Sequence, residues 1–192
     1  MNKPAFLVEG KMEQLIVQAL CQGAPVRLIN CNGDNVTLEA IARRAGTLGR
    51  LLQKKYRPLI IIFDREGRTE PAITLKASFT NLLIQEGITS EVIVAIPDRM
   101  IENWILADFN VFCSCAGIPV TTSGKSFEGL PGEKALKGLL PKRSEYVKTI
   151  HGVKWFLKCN PETMKKASKS FQQFCEALSG VTCKWLDQRE LF

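Results

Sequence analysis

Acidic residues follow three of the apolar segments in this sequence. Glu9, Asp64 and Asp98 each come directly after such a segment, and three further acids stand close behind them, namely Glu13, Glu66 and Glu102. Gathering this many carboxylates in one cleft costs several kcal/mol of repulsion unless a cation neutralises them. Oxygen ligands with no paired His or Cys select a hard ion. The pattern therefore predicts a site for Mg²⁺ or Mn²⁺.

The same acids have a purely structural explanation. Asp and Glu are common in the first turn of a helix, where the helix dipole favours negative charge. Glu13 and Asp98 fit this explanation as well as they fit a metal site. Glu9 and Asp64 fit it less well, because each directly terminates an apolar segment.

The segments that carry these acids alternate between strand-like and helix-like patterns over residues 1–108. Apolar runs predict buried strands at 4–10, 26–30, 58–64 and 91–97, and helical spacing follows each run, with one helix over 70–85 and one capped by Asp98. This order is typical of an α/β fold, a mostly parallel sheet with helices on both faces. Functional groups in such sheets collect at the carboxyl ends of the strands, where Glu9 and Asp64 stand.

The pattern changes after residue 108. Residues 110–131 are rich in Gly, Ser, Thr and Pro and predict a long loop, and helices are predicted at 132–140, 144–158 and 161–178. The chain is therefore divided into an α/β domain at 1–108 and, at 109–192, a loop followed by a small helical cap.

The cap carries most of the excess positive charge. The chain has 26 basic and 19 acidic residues, and residues 109–192 hold 13 of the basic and 7 of the acidic ones. This imbalance favours a polyanionic partner, of which nucleic acid is the commonest, although a solvated surface explains it equally well. The candidate contacts in the cap are Lys142, Arg143, Lys165 and Lys166.

Several classes of protein are excluded or disfavoured by composition and motif content. With 45% hydrophobic residues the chain can bury a core, and it lacks an apolar stretch long enough for a membrane span. Neither a Gly-x-Gly-x-x-Gly motif nor a Walker phosphate loop is present, and Cys113-x-Cys115 is not a zinc spacing. Seven scattered cysteines and no signal peptide predict buried thiols in the cytoplasm.

Three segments together resemble a known family. VEGKMEQL at 8–15 resembles the glutamate motif of the topoisomerase–primase (TOPRIM) domain, and IIFDREG at 61–67 resembles its Asp-x-Asp motif with Glu66 at the second acid. IPDRMIENWILAD at 96–108 is similar to small stand-alone TOPRIM-like proteins associated with ATPases in prokaryotic defence systems. The resemblance covers about the first 108 residues.

The resemblance implies metal-dependent phosphodiester chemistry. Asp64 and Glu66 would hold Mg²⁺, and Glu9 would act as general acid and base or bind a second metal ion. Glu13 and Glu102 would complete an outer or second metal site. Phosphate oxygens would meet Lys11, Arg65, Arg68 and Arg99, although surface ion pairs explain these four basic residues equally well.

The function that follows is a Mg²⁺-dependent nuclease acting on DNA or RNA. The association with ATPases implies a toxin-like effector under the control of an ATPase partner in antiviral defence. A topoisomerase is excluded because 192 residues leave no room for the separate domain that carries its nucleophilic tyrosine. The alternative is a non-catalytic TOPRIM-like module that binds nucleic acid or a partner, which Glu66 in place of Asp favours.

Overall fold

A parallel four-stranded sheet lies at the centre of the residues that the computed structural model describes, which are 3–31, 33, 36–120 and 126–181. The sheet has the order β2-β1-β3-β4, and its strands are β1 (Ala5–Val8), β2 (Val26–Leu28), β3 (Leu59–Ile62) and β4 (Val92–Ala95). Val8 pairs with Ile62, so the carboxyl ends of β1 and β3 lie side by side. The predicted parallel α/β fold is confirmed.

Both faces of the sheet are covered by helices because its strands are apolar on both sides. Phe6 and Ile60 belong to one buried cluster, whereas Leu7 and Ile61 belong to the other. Helices α2 (Leu38–Leu52) and α3 (Ala72–Gln85) supply the cluster around Leu7, and helices α1 (Lys11–Leu20) and α4 (Glu102–Ala107) contribute to the cluster around Phe6. This two-sided cover is the predicted one.

The C-terminal helices share the core of α1 and α4. The Trp104 ring of α4 stacks on Phe174 with the ring centroids 5.3 Å apart, and Phe112 meets Trp155 at 5.6 Å. The elements after α4 are α5 (Phe109–Ala116), α6 (Gly132–Leu139), a π-turn (Lys148–Gly152), α7 (Val153–Phe156), α8 (Pro161–Ala167) and α9 (Lys169–Ala177). None of the described helices is long and apolar enough to cross a membrane.

The loop predicted over 110–131 is wrong at its start, where α5 forms. The Asp108 side chain caps this helix by accepting a hydrogen bond from the backbone N–H of Val111 at 3.3 Å. Phe112 and Cys113 are fully buried on its inner face. A cap and a buried apolar face therefore outweigh the small polar residues that suggested a loop. Residues 121–125 lie outside the described part of the chain.

Two predicted C-terminal helices are shorter than expected. The segment predicted as helix from 144 has extended backbone at Val147, and the π-turn begins only at Lys148. The helix predicted over 161–178 breaks at Ser168, whose side chain caps α9 by accepting from Phe171 N–H at 3.2 Å. A serine that starts a new helix cannot also continue the previous one.

The predicted Asp98 cap is also wrong. Helix α4 begins at Glu102, and its N-terminal flank is Ile101. The Asp98 carboxylate instead accepts a hydrogen bond from Gly129 N–H and pairs with Arg65 Nη2 at 3.3 Å. It therefore joins two loops rather than starting a helix.

The prediction of buried thiols is confirmed at Cys113, Cys159 and Cys175, whereas Cys31 and Cys115 are free but only half-buried. Free thiols are found at Cys31, Cys113, Cys115, Cys159 and Cys175. Cys21 is disulfide-bonded, which the scattered spacing did not indicate.

Candidate metal centre

Two carboxylates meet where β1 and β3 end. Glu9 follows β1 directly, and its Oε2 accepts a hydrogen bond of 2.7 Å from the backbone N–H of Asp64 beyond β3. The Asp64 Oδ1 atom accepts a hydrogen bond of 3.0 Å from Ile101 N–H, just before α4. Glu9 is 5% exposed and Asp64 is 7% exposed. Parallel neighbouring strands thus bring together acids that are far apart in sequence, as predicted.

Two helix N-termini add further acids to the same edge. Glu13 lies in the first turn of α1 and is buried, and Glu102 begins α4 and is 0% exposed. Burial, followed by the negative charges of Glu13, Glu9 and Glu102, raises the pKa of Asp64 well above its usual value. Four acids therefore interact electrostatically and are here called the acidic edge, namely Glu9, Glu13, Asp64 and Glu102. For Glu13, both the helix dipole and membership of this cluster explain its position.

Glu66 has an unusual backbone that its neighbours hold in place. Its φ of 52° lies in the left-handed region, which few residues other than glycine adopt. The Glu66 N–H donates to the carbonyl of Arg99 at 2.8 Å, and Arg99 Nη1 donates to the carbonyl of Glu66 at 2.8 Å. Residues in this conformation cluster at functional sites when the surroundings fix them. Arg99, predicted as a phosphate contact, is thus placed to position Glu66.

The acidic edge is short of positive charge and of hydrogen-bond donors. Burial raises the pKa of Glu9 to about 7, with smaller contributions from the charges of Glu66 and Glu13. Glu9 Oε1 and Glu102 Oε2 are buried and accept no hydrogen bond from any described residue. A buried carboxylate oxygen without a donor is costly unless a proton or a cation occupies it.

The carboxylate oxygens of the acidic edge suit a hard divalent cation, but they are not arranged around a common point. Carboxylate oxygens are the ligands that Mg²⁺ and Mn²⁺ prefer. Across the described ranges, however, no three His, Cys, Asp or Glu side chains already stand at metal-ligand geometry. Binding an ion at the acidic edge therefore requires side-chain rotation.

Three residues near the acidic edge were missed by sequence reasoning. Lys148 Nζ lies 3.3 Å from Glu102 Oε1 and 2.9 Å from Glu133 Oε2, and the Tyr146 hydroxyl lies 3.3 Å from Glu102 Oε1. Tyr146 and Glu102 are 44 positions apart in sequence. Spacing within a segment carries no signal for a contact of this kind.

The other predicted basic residues near the motifs have partners of their own. The Arg68 guanidinium donates to the carbonyls of Asp64 and Arg65 at 3.2 Å and to Val36 at 2.7 Å. Arg65 pairs with Asp98 as described above, and Lys11 is exposed and bonds Gln14 at 2.8 Å. The two arginines hold the loop after β3, and the charge of Arg68 still acts to lower the pKa of Glu9.

The basic residues predicted in the cap differ among themselves. Lys142, Arg143 and Lys166 are exposed. Lys165 lies 2.6 Å from Glu162 Oε1 on α8 and is partly neutralised by it. The first two precede the π-turn that brings Lys148 to the acidic edge.

Comparison with known proteins identifies one family. A family model described as "Domain of unknown function (DUF4276)" matches residues 8–179 of the chain. The match includes every member of the acidic edge, Glu66 and the π-turn. No curated protein and no solved structure matches the chain.

Proposed function

We propose that this chain, which belongs to the DUF4276 family, is a Mg²⁺- or Mn²⁺-dependent nuclease that cleaves phosphodiester bonds in DNA or RNA. The observation that carries the proposal is the convergence of four buried carboxylates at one sheet edge, where two carboxylate oxygens have no described hydrogen-bond donor. The resemblance of residues 8–15 and 61–67 to the TOPRIM motifs supplies the choice of substrate.

Residues of the acidic edge and two of their neighbours have different tasks in this chemistry. Bound Mg²⁺ would polarise the phosphodiester and promote attack by water. Asp64 and Glu66 would hold the ion, and Arg99 holds the Glu66 backbone. The Asp64 N–H fixes Glu9 Oε2, which leaves Oε1 to bind the ion or to take and return a proton.

Partner and compartment follow from the sequence features. The exposed basic residues of the cap support a nucleic-acid partner, with Lys142 and Arg143 as the first contacts. The similarity of residues 96–108 to ATPase-associated proteins supports a toxin-like effector held in check by an ATPase partner during antiviral defence. Five of the six described cysteines are free thiols, which favours the cytoplasm, and the disulfide at Cys21 counts against it.

Cleavage of labelled DNA and RNA tests the proposal. The chain is incubated with each substrate in Mg²⁺, Mn²⁺ or EDTA, with and without any ATPase encoded beside it. We expect metal-dependent cleavage that Asp64→Asn abolishes and that Glu39→Gln, at an exposed acid in the first turn of α2, leaves intact. Cleavage that persists in EDTA, or in Asp64→Asn, contradicts the assignment.

A non-catalytic binding module is the second candidate. It is favoured by two observations. No three candidate metal ligands are grouped among the described residues, and Lys148 already neutralises part of the acidic edge. This candidate predicts nucleic-acid binding that is unchanged by EDTA and is followed by no cleavage under any of the conditions above.

A further inference from the structure

Lys148 supplies a positive charge to one side of the acidic edge. Its ammonium bridges Glu102 Oε1 and Glu133 Oε2, and its side chain is 39% exposed whereas that of Glu102 is 0% exposed. The Tyr146 hydroxyl bonds the same Glu102 oxygen. Both groups therefore converge on a single carboxylate from the C-terminal part of the chain.

The backbone that presents Lys148 is closely fitted to α1. A side chain at Gly152, the last residue of the π-turn, would place its Cβ 2.6 Å from the Tyr146 hydroxyl and 2.8 Å from Met12 Cε. A larger residue here would force the Tyr146 or Met12 side chain to move away from its present position. Single π-turns are frequent at functional sites. Lys148 is thus held by a tightly packed turn rather than by a loose surface loop.

The charges divide the acidic edge into two sides. Burial raises the pKa of both Glu13 and Asp64, and the charge of Lys148, which is paired with Glu102, opposes that rise. Arg68 acts on Glu9 from the other side, but its guanidinium is occupied by backbone carbonyls. The side with Glu13 and Glu102 thus has an ammonium 3.3 Å from Glu102 Oε1, whereas no described cationic side chain contacts the Glu9 carboxylate. Glu102 Oε2 and Glu9 Oε1 are both buried without a described donor.

We propose that the Lys148 ammonium takes the place of a second divalent ion on the Glu13–Glu102 side, so that the acidic edge binds one divalent ion per chain. The inference rests on the proposed function and narrows it, because Glu102 then pairs with a lysine, and Glu13 lies within the field of the same ammonium, where a second metal ion was expected. A fixed ammonium and a divalent ion beside the same carboxylate repel each other strongly at this depth. Removing the lysine charge opens the position to a second ion.

Counting bound Mn²⁺ tests the inference without any need for cleavage. Equilibrium dialysis with Mn²⁺, read by electron paramagnetic resonance, is applied to wild type, Lys148→Met and Lys137→Met. The last is a matched control, because Lys137 also pairs with Glu133, at 2.6 Å, and makes no described contact with Glu102. We expect one ion in wild type, two in Lys148→Met and one in Lys137→Met.

A second variant keeps the test decisive if Lys148→Met does not fold. Glu102→Gln removes a charge from the lysine side, and we expect it to leave the count at one. Two ions in wild type, an unchanged count in folded Lys148→Met, or loss of the ion in Glu102→Gln overturns the inference and leaves the proposed function standing. A wild-type count of zero overturns the proposed function itself.

Discussion

The buried acids of the acidic edge and the half-buried Glu128 have opposite surroundings. Glu128 lies between helices, and its Oε1 accepts hydrogen bonds from the hydroxyls of Ser168 and Ser170 at 2.7 and 2.8 Å and from Ser170 N–H at 2.9 Å. Burial raises the pKa of Glu128, but these hydrogen bonds outweigh it and the pKa is lowered overall. The fold is thus able to satisfy a carboxylate with donors.

The acidic edge has fewer hydrogen-bond donors for its carboxylates. Glu9 and Glu102 each retain a buried oxygen without a described donor, and the pKa of Glu9 rises to about 7. Burial alone therefore does not decide the protonation state of an acid, because the supply of hydrogen-bond donors also sets its pKa. The acidic edge therefore still requires a cation or a proton, whereas Glu128 stabilises the start of α9 by accepting hydrogen bonds.

The largest difference between the two groups is expected in catalysis. Glu9→Gln should lower the cleavage rate by about 100-fold or more, since it removes a proton acceptor or an ion ligand. Glu128→Gln retains an oxygen acceptor for the donors at the start of α9 and lies outside the acidic edge as defined above. It should change the rate by less than about 3-fold, the effect of a shift below 1 kcal/mol. Single-turnover cleavage of a labelled strand measures both, and equal losses would erase the distinction.

The two groups should respond to pH with opposite signs. In the absence of metal, folded Glu9 binds its proton more tightly than the unfolded chain, because its pKa rises from 4.5 to about 7. The tighter proton binding by Glu9 stabilises the folded state fully below pH 4.5. This stabilisation is lost as the pH rises through 7, which lowers the free energy of unfolding by up to about 3 kcal/mol. Glu128 stabilises the folded state at pH values above the pKa that it has in the unfolded chain, and this stabilisation is lost as the pH falls.

Urea unfolding in EDTA across this pH window measures the effect. Glu9→Gln should reduce the decline in stability between pH 5 and pH 8, and Asp64 and Glu13, whose pKa values are also raised, should cause the part that remains. Wild-type stability that rises steadily over that window would contradict the claim that the acidic edge is short of cations.

A moderate effect is expected from removing the satisfied acid. Glu128→Ala leaves the hydroxyls of Ser168 and Ser170 and the Ser170 N–H without their acceptor, and should destabilise the fold by about 2 kcal/mol. Glu145→Ala, at an exposed acid, is the control and should fall within about 0.5 kcal/mol of wild type. Urea unfolding at pH 7 distinguishes them, and a neutral Glu128→Ala would refute its structural task.

The smallest effect concerns how a polyanion reaches the acidic edge. Replacing Lys142 and Arg143 with Gln should weaken nucleic-acid binding and reduce the log–log salt slope by about 1 for each phosphate that is no longer neutralised. Replacing the exposed pair Arg43 and Arg44 of α2 with Gln is the matched control. Fluorescence anisotropy over a range of salt concentrations checks both, and equal slopes in the two variants would make the cap a structural element only.

The sequence predicted those features that depend on local pattern. The strands and the position of Glu9 and Asp64 followed from apolar runs that end in acids, because parallel strands must bring their carboxyl ends to one edge. The start of α5 was missed because the Gly, Ser, Thr and Pro residues that follow it suggest a loop over the whole of 110–131, and the cap from Asp108 was not recognised.

Long-range partners could not be predicted in this way. Glu128 meets Ser170 across 42 positions and Tyr146 meets Glu102 across 44. These contacts form only when the C-terminal helices pack on α4, so neither periodicity nor spacing encodes them. The roles of Arg65, Arg68 and Arg99 show the same limit, since loop geometry decides whether an arginine holds a backbone carbonyl or a ligand.

Thermal melts of wild type and Asp64→Asn, with and without millimolar Mg²⁺ or Mn²⁺, test the metal centre most directly. The substituted amide keeps an oxygen for Ile101 N–H but removes one repelling charge. If the acidic edge binds a divalent ion, the metal should raise the Tm of wild type by a few degrees, about 2–4 °C for each kcal/mol of binding. Asp64→Asn should be at least as stable as wild type without metal and should not respond to it. A wild-type Tm indifferent to both ions, with a less stable Asp64→Asn, would contradict the account.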